Sequence, residues 1–249
     1  MDLKKVIVCD LDGTLAPSKS PLRPDMAEVI GHVLVRNLFA VVSGGNFTQF
    51  ERQFLSRLEC TPDQLKNLYL FPTMGSTCYV YDPKAQIWEK VYDEPLSEKD
   101  RKNIRKVLEG IIKESGLDME KAYGERIEDR GGQVTLSALG QEVPLDVKEV
   151  WDPDQKKRRV MAEKIKKLLP QFEVRIGGLT SIDITKKGLD KAYAIGKIKK
   201  LLEVSDDDII FVGDALYPGG NDEAVKKTPV DYIQEDGPAS TLEFLRKYI

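Results

Sequence analysis

Four apolar residues, Val6 to Cys9, run without a break into Asp10-Leu11-Asp12-Gly13-Thr14-Leu15. The apolar run reads as a buried strand, and a loop carrying Pro17, Pro21 and Pro24 leads from it to a helical pattern over Met26 to Val35. A second apolar run, Leu38 to Val42, ends at Ser43-Gly44-Gly45 before another helical stretch through about Leu58. Strand, loop and helix occurring twice in succession predict a parallel sheet. The same order returns late in the chain, with a helix over Leu189 to Leu202, a strand over Ile209 to Val212, a loop through Pro218-Gly219-Gly220 and a strand near Val230 to Ile233. The two ends of the sequence therefore build one doubly wound α/β core.

The middle follows a different pattern. Thr77 to Tyr81 and Ile87 to Val91 read as a hairpin, followed by a charged helix over Ser97 to Ser115. Strands are expected near Gln133 to Ser137 and Asp146 to Val150, then a helix over Pro153 to Leu169, then strands near Phe172 to Ile176 and Ser181 to Thr185. Strands interrupted by two helices predict an α+β insert. We place it at residues 84–185, leaving 1–83 and 186–249 for the core.

Composition narrows the function classes. The 38 basic and 41 acidic residues give a formal charge of -3 and alternate along the chain, which argues against nucleic acid as a partner. The N-terminal apolar run is short and meets acidic residues, so a strand is expected there and not a signal peptide. No run approaches the ~20 apolar residues of a membrane helix. Cys9, Cys60 and Cys78 lack metal-like spacing and leave one unpaired, which suits a reducing, cytoplasmic compartment. His32 is the only histidine and lies in an apolar helical pattern, so acid–base work falls to carboxylates or lysines.

Asp10 and Asp12 emerge at the carboxyl end of the first strand, where open α/β sheets place their ligands. Asp10 can then attack phosphorus in line while Asp12 stands beside the leaving or entering oxygen as general acid and base. Ser43 reads either as a helix N-cap or as a phosphate binder, through its hydroxyl and the amides that follow, beginning with Gly44. Lys191 opens a helix whose amino end meets the same crevice, where an ammonium offsets phosphoryl charge. Asp214, after the strand Ile209 to Val212, joins Asp10 in offering the hard oxygen ligands that Mg²⁺ prefers. An acidic turn, a cap and a solvated lysine would account for each piece singly.

Taken together and in this order, the strings DLDGTL, VVSGG, GLDKAY and GDALYPGGND resemble the four motifs of the haloacid dehalogenase superfamily, in particular its type IIB-like capped phosphatases. The resemblance implies a Rossmann-like core with an inserted cap, Asp10 as nucleophile, and Asp12 as acid/base and metal ligand through its carbonyl. It implies Ser43 and Lys191 as phosphate binders, Asp214 as a further Mg²⁺ ligand and Asp222 as a supporting carboxylate at the metal. Within the superfamily the sequence is similar to the eukaryotic-type phosphomannomutases, with which it shares DGTLxP, GGxxSxD and GDxxxPGGND. That likeness makes Lys19, Arg130, Ser181 and Asp183 the expected sugar and distal-phosphate contacts, and it allows a homodimer through the cap.

Two departures from that family lean toward hydrolysis. Its SPIGR string appears here as SALGQ, so Gln141 replaces an arginine, and a second family arginine falls on Lys148. Both changes weaken a bidentate phosphate clamp. The serine of VVSGG also sits where the superfamily's phosphatases carry Ser or Thr. The expected activity is thus Mg²⁺-dependent phosphoryl transfer through an aspartyl phosphate, with a cap closing over a small sugar phosphate that is hydrolysed; the alternative is interconversion of mannose 1-phosphate and mannose 6-phosphate. Arg126, Arg130, Lys148, Arg175, Lys186 and Lys187 supply the cationic cap that the alternative requires.

Overall fold

A computed structural model describes residues 3–119 and 121–249. The elements run β1 (Val6–Asp10), α1 (Pro24–Val33), β2 (Leu38–Val42), α2 (Phe47–Gln53), α3 (Pro62–Leu65), β3 (Leu68–Phe71), β4 (Thr77–Asp82) and β5 (Ile87–Asp93). Next come α4 (Glu98–Glu114), β6 (Ile127–Asp129), β7 (Gln133–Ser137), α5 (Leu145–Trp151), α6 (Lys156–Leu168), β8 (Phe172–Gly177) and β9 (Ser181–Lys186). The chain ends with α7 (Lys191–Leu202), β10 (Ile209–Gly213), β11 (Asp231–Gln234) and α8 (Pro238–Leu245). It divides into two compact units, Met1–Asp93 with Asp190–Ile249, and Glu94–Leu189.

The first unit is built on a seven-stranded sheet in the order β11-β10-β1-β2-β3-β4-β5. Its first five strands are parallel, with Val6 opposite both Ile209 and Leu38. Every residue of β1 is buried, as a strand covered on both faces requires. Ile7 and Cys9 pack on one side with α1, α8 and residues of α2, whereas Val6 and Val8 pack on the other with Ala194, Ile195 and Ile198 of α7. This is the doubly wound core. Helix starts follow local chemistry: Pro24 stands in the first turn of α1, and the Asn46 side chain caps α2 by accepting from the Gln49 amide at 2.9 Å.

The unit boundary departs from the expected one. β4 and β5 form the predicted hairpin, but β4 pairs antiparallel with β3, so both strands extend the core sheet. Residues 84–93 therefore belong to the first unit, and the second unit ends at Leu189 instead of 185.

The second unit carries an antiparallel sheet in the order β6-β7-β9-β8. One face is apolar, with Val134, Leu136, Val174, Ile182 and Ile184 packed against Ile104, Leu108 and Ile111 of α4 and Met161 and Ile165 of α6. The expected strand at Asp146 to Val150 is instead helix α5. Its two valines suggest β-structure, but Val147 and Val150 are three apart, and a helix puts Lys148 on the buried side. Arg158 is fully buried: its Nε donates to Asp152 Oδ2 at 2.9 Å and one Nη donates to the carbonyl of Gly178 at 2.7 Å. It thus ties the start of α6 to the β8–β9 turn.

Truncating Arg158 leaves the Asp152 carboxylate buried without its partner, so Arg158→Ala should cost about 3–5 kcal/mol. Equilibrium unfolding in denaturant checks this; a loss of less than about 1 kcal/mol, the level of an exposed ion pair, would refute it.

Candidate active site

Three segments of the first unit converge at the carboxyl ends of its parallel strands. β1 ends on Asp10, β10 ends on Gly213 just before Asp214, and α7 begins with Lys191 after its cap residue Asp190, whose side chain accepts from the Tyr193 amide at 2.9 Å. Lys191 Nζ lies 2.6 Å from Asp10 Oδ1 and also bonds Asp222 Oδ1; all three residues are buried. The other oxygen of Asp222 accepts from the Ala215 amide at 3.0 Å. Asp222 is thus a structural anchor for Lys191 and for the loop that follows β10.

Asp214 is held from the β1 side. Thr14 Oγ1 lies 3.0 Å from Asp214 Oδ1 and also 3.0 Å from the Asp214 amide, which donates to it. Gly13 has φ +95°, and a Cβ there would come within 2.5 Å of Asp214 Oδ2, so both its conformation and its space call for glycine. Oxygens of Asp10, Asp214 and Asp222 lie within 4.8 Å of one another.

Burial pushes the Asp10 carboxyl well above the usual carboxylate range, against the pull of Lys191 and with help from Asp222 and Asp214. Burial raises Asp214 in the same way. For Lys191 burial works downward, but Asp10 and Asp222 together outweigh it, so the ammonium is held above its ordinary value. Three carboxylates around one ammonium leave negative charge in excess. Asp10 Oδ2 is buried and accepts no hydrogen bond among the described residues. An all-oxygen donor set with surplus charge and an unengaged oxygen fits a hard divalent cation.

Ser43 follows β2, is buried, and accepts from the Gly45 amide at 3.1 Å; Gly44 stands beside it. The N-cap of α2 is Asn46, so Ser43 does not serve as the helix cap. The Asp12 carboxylate engages neither Lys191 nor the other aspartates in any described hydrogen bond. It accepts from the Lys19 amide at 2.5 Å, from Gln53 Nε2 at 3.0 Å and from Gln49 Nε2 at 2.9 Å. Lys19, expected at the sugar, uses its backbone here, in a left-handed conformation with φ 53°. A metal contact by Asp12 would fall to its carbonyl.

The remaining expected residues lie in the second unit. Asp183 and Ser181 project from the sheet face opposite α4 and α6: Thr135 Oγ1 donates to Asp183 Oδ1 at 2.8 Å, and Ser137 and Ser181 share a hydroxyl contact at 3.1 Å. Arg130 pairs with Glu128 at 2.7 Å, Lys148 is buried on α5, and the Gln141 backbone N–H donates to the Glu125 carbonyl at 3.1 Å. Arg126 and Arg175 direct donors to the carbonyls of Ala138 and Leu189. Sequence reasoning missed Thr14, Gln49 and Gln53 as site residues. Spacing offered one clue, since Gln49 and Gln53 stand four apart on the helix after the Ser43 loop.

Transfer of a phosphoryl group to a carboxylate requires an oxygen free to attack, fixed positive charge beside it and room for a cation, and this strand end supplies all three on a doubly wound sheet. The fold and site are those of a phosphoryl-transfer enzyme of the haloacid dehalogenase superfamily. A haloacid dehalogenase-like hydrolase from Bacteroides thetaiotaomicron has the same fold, with TM-score 0.60 at 15% identity over 99% of this chain and 100% of that one. The eukaryotic phosphomannomutase family model matches residues 26–245, and the chain belongs to that family. Among its relatives, the phosphomannomutase of Schizosaccharomyces pombe is 28% identical over 225 residues, 88% of this chain and 84% of that protein. Phosphomannomutase 2 of Dictyostelium discoideum is 26% identical over 100% of this chain and 98% of its own length.

The excess of buried negative charge has a measurable consequence. Without divalent cation, Asp214→Asn should be at least as stable as the unaltered protein, because it removes one repelling carboxylate. With Mg²⁺ at ~100 times its Kd, the unaltered protein should gain about 2.7 kcal/mol and the variant much less. Thermal unfolding with EDTA and with Mg²⁺ checks both; an equal Mg²⁺ response would exclude Asp214 as a ligand.

Proposed function

We propose that the chain is a phosphomannomutase, interconverting hexose 1- and 6-phosphates with mannose as the sugar. The observation that carries this reading is the second face of the Glu94–Leu189 sheet. Gln133, Thr135 and Ser137 of β7 stand opposite Thr185, Asp183 and Ser181 of β9, and all six side chains are buried polar groups. Buried hydroxyls, one amide and one carboxylate in adjacent register offer what a sugar's hydroxyls require, and a core would not retain them for packing alone. The family model supports the same reading, since its match runs through both units.

The chemistry follows from the first unit. An Asp10 oxygen forms a bond to phosphorus as the bond from phosphorus to the sugar oxygen breaks, and a proton from the Asp12 carboxyl passes to that oxygen. In the return step the Asp12 carboxylate takes the proton of the incoming sugar hydroxyl as that oxygen attacks the aspartyl phosphate. Lys191, the Ser43 hydroxyl and the Gly44 amide stabilise charge on the transferring group. When bound by Asp10, Asp214 and the Asp12 carbonyl, with Asp222 in support, Mg²⁺ supplies Lewis-acid stabilisation of the phosphoryl oxygens. Recognition of the second phosphate falls to Arg130 and Lys148, with Lys19 a further contact.

One observation favours hydrolysis as a second reading. Gln141 stands where the family resemblance places an arginine, so the second phosphate loses one charged, two-pronged donor. A sugar phosphatase needs a single phosphate site and admits water in the return step.

Incubation with Mg²⁺ and mannose 1-phosphate, with and without a hexose 1,6-bisphosphate, separates the readings. Bisphosphate-dependent formation of the 6-phosphate with little free phosphate is expected; stoichiometric phosphate release without isomer would make the enzyme a phosphatase. Asp10→Asn should abolish turnover while circular dichroism stays unchanged, and retained activity would rule out the covalent route. Gln141→Arg should tighten binding of the bisphosphate by about tenfold, the ~1.4 kcal/mol of one charge-assisted contact. Unchanged affinity in calorimetry would show that residue 141 does not meet the distal phosphate.

A further inference from the structure

We propose that Gln49 and Gln53 are positioning residues for the general acid/base Asp12, and that they determine which leaving groups the enzyme can expel. This inference rests on the assignment of Asp12 above. The two side chains lie on one face of α2, and each gives a carboxamide donor to a different Asp12 oxygen, Gln53 to Oδ1 at 3.0 Å and Gln49 to Oδ2 at 2.9 Å. The Lys19 amide adds a third donor on Oδ1 at 2.5 Å. Two-sided contact of this kind fixes both the direction and the plane of a carboxylate, which proton transfer at a defined sugar oxygen requires.

The glutamines are themselves held. Gln49 Nε2 also lies 2.9 Å from Gln53 Oε1, so the pair acts as one cradle. The Gln49 backbone amide is fixed by Asn46, and the Gln53 carbonyl accepts from the Leu22 amide at 2.8 Å, tying the end of α2 to the loop that leaves the Asp12 turn. Gly45 leaves room for the cradle, because a Cβ there would come within 2.4 Å of Gln49 Oε1. Gln53 is buried, and its carboxamide gives its donor to Asp12 and its oxygen to Gln49. Gly45 and the helix beyond it thus connect the phosphate loop to the acid/base.

Methionine matches glutamine in length and lacks the donor, so Gln49→Met, Gln53→Met and the double variant remove the hydrogen bonds while filling the space. The test compares two substrates. Expelling a sugar oxygen needs a proton from Asp12, whereas p-nitrophenolate leaves without one. Single-turnover release of p-nitrophenol from p-nitrophenyl phosphate should therefore stay within about threefold in the double variant, while kcat on hexose 1-phosphate falls by about 30-fold or more with KM little changed, a part of the ~10²–10⁴ that general acid catalysis supplies. The Gln49→Met variant, altered at the less buried site, should show a smaller loss of the same pattern and a thermal midpoint near that of the parent. Equal loss on both substrates would make the glutamines structural, and no loss on either would make the cradle irrelevant; each outcome overturns the proposal. Failure of the parent protein itself to release p-nitrophenol would instead remove the Asp10 chemistry on which both readings depend.

Discussion

A lysine ammonium held between two buried carboxylates governs the architecture of the catalytic unit. Lys191 contacts Asp10 and Asp222, and all three are removed from water. Desolvating such ions costs several kcal/mol each, and mutual attraction repays that only with good geometry and satisfied neighbours. The fold supplies both. Asp222 has its second oxygen on the Ala215 amide, and the aromatic ring of Phe211 lies 5.9 Å from the ammonium. Asp214 and Asp10 are left with charge that one lysine cannot balance, and burial makes their carboxyls reluctant to ionise. An arrangement that is costly for folding is suited to a divalent cation, whose charge would offset the surplus and leave Lys191 and the cation to meet an anionic phosphoryl group.

The topology explains why these groups meet. β1 lies between β2 and β10, so residues leaving the ends of these three neighbouring strands enter one crevice. Asp10 leaves the central strand, Ser43 follows the strand on one side and Asp214 the strand on the other. Lys191 reaches the same point as the first residue of a helix whose apolar stripe, Ala194, Ile195 and Ile198, packs on the β1 face presented by Val6 and Val8. The stripe that anchors α7 therefore also sets the height of the ammonium.

Legibility in the sequence divided along physical lines. The core was readable because its chemistry needs contiguous strings: an apolar strand, two carboxylates and a glycine whose φ and missing Cβ make room for Asp214. Strand β3 and helix α8 were not foreseen, since Leu68–Phe71 is four residues long and α8 opens on a Gly-Pro pair that reads as a turn. The unit boundary was misplaced because a hairpin carries no mark of the sheet it joins; only the pairing of β4 with β3 assigns it. Arg158 lies in Lys156-Lys157-Arg158-Arg159, a run that reads as solvated charge, yet the third residue is fully buried on Asp152. Gln49 and Gln53 escaped notice because polar residues four apart on a helix read as its wet face.

Hydrolysis and mutase chemistry draw on the same first unit, so the difference between them belongs to the second. Both need one nucleophile, one acid/base and one cluster of positive charge, and a phosphatase needs nothing more. A mutase must also retain a bisphosphate long enough for it to reverse, which demands compensation for the charge of a second phosphate. If the proposed residues meet that phosphate, Gln141 gives up some of the compensation, whereas Lys148 keeps a buried ammonium on α5 and Arg130 keeps a guanidinium paired with Glu128 at 2.7 Å. Because Glu128 already balances Arg130, binding a phosphate there requires the guanidinium to exchange or share its partner, and the exchange lowers the net gain. On the proposed reading, Lys148 would therefore carry more of the burden than Arg130. On the reading proposed above, a cap that holds its anion mainly through a point charge tolerates more shapes of ligand than a forked clamp does, so Gln141 in place of a forked donor would broaden recognition as well as weaken it.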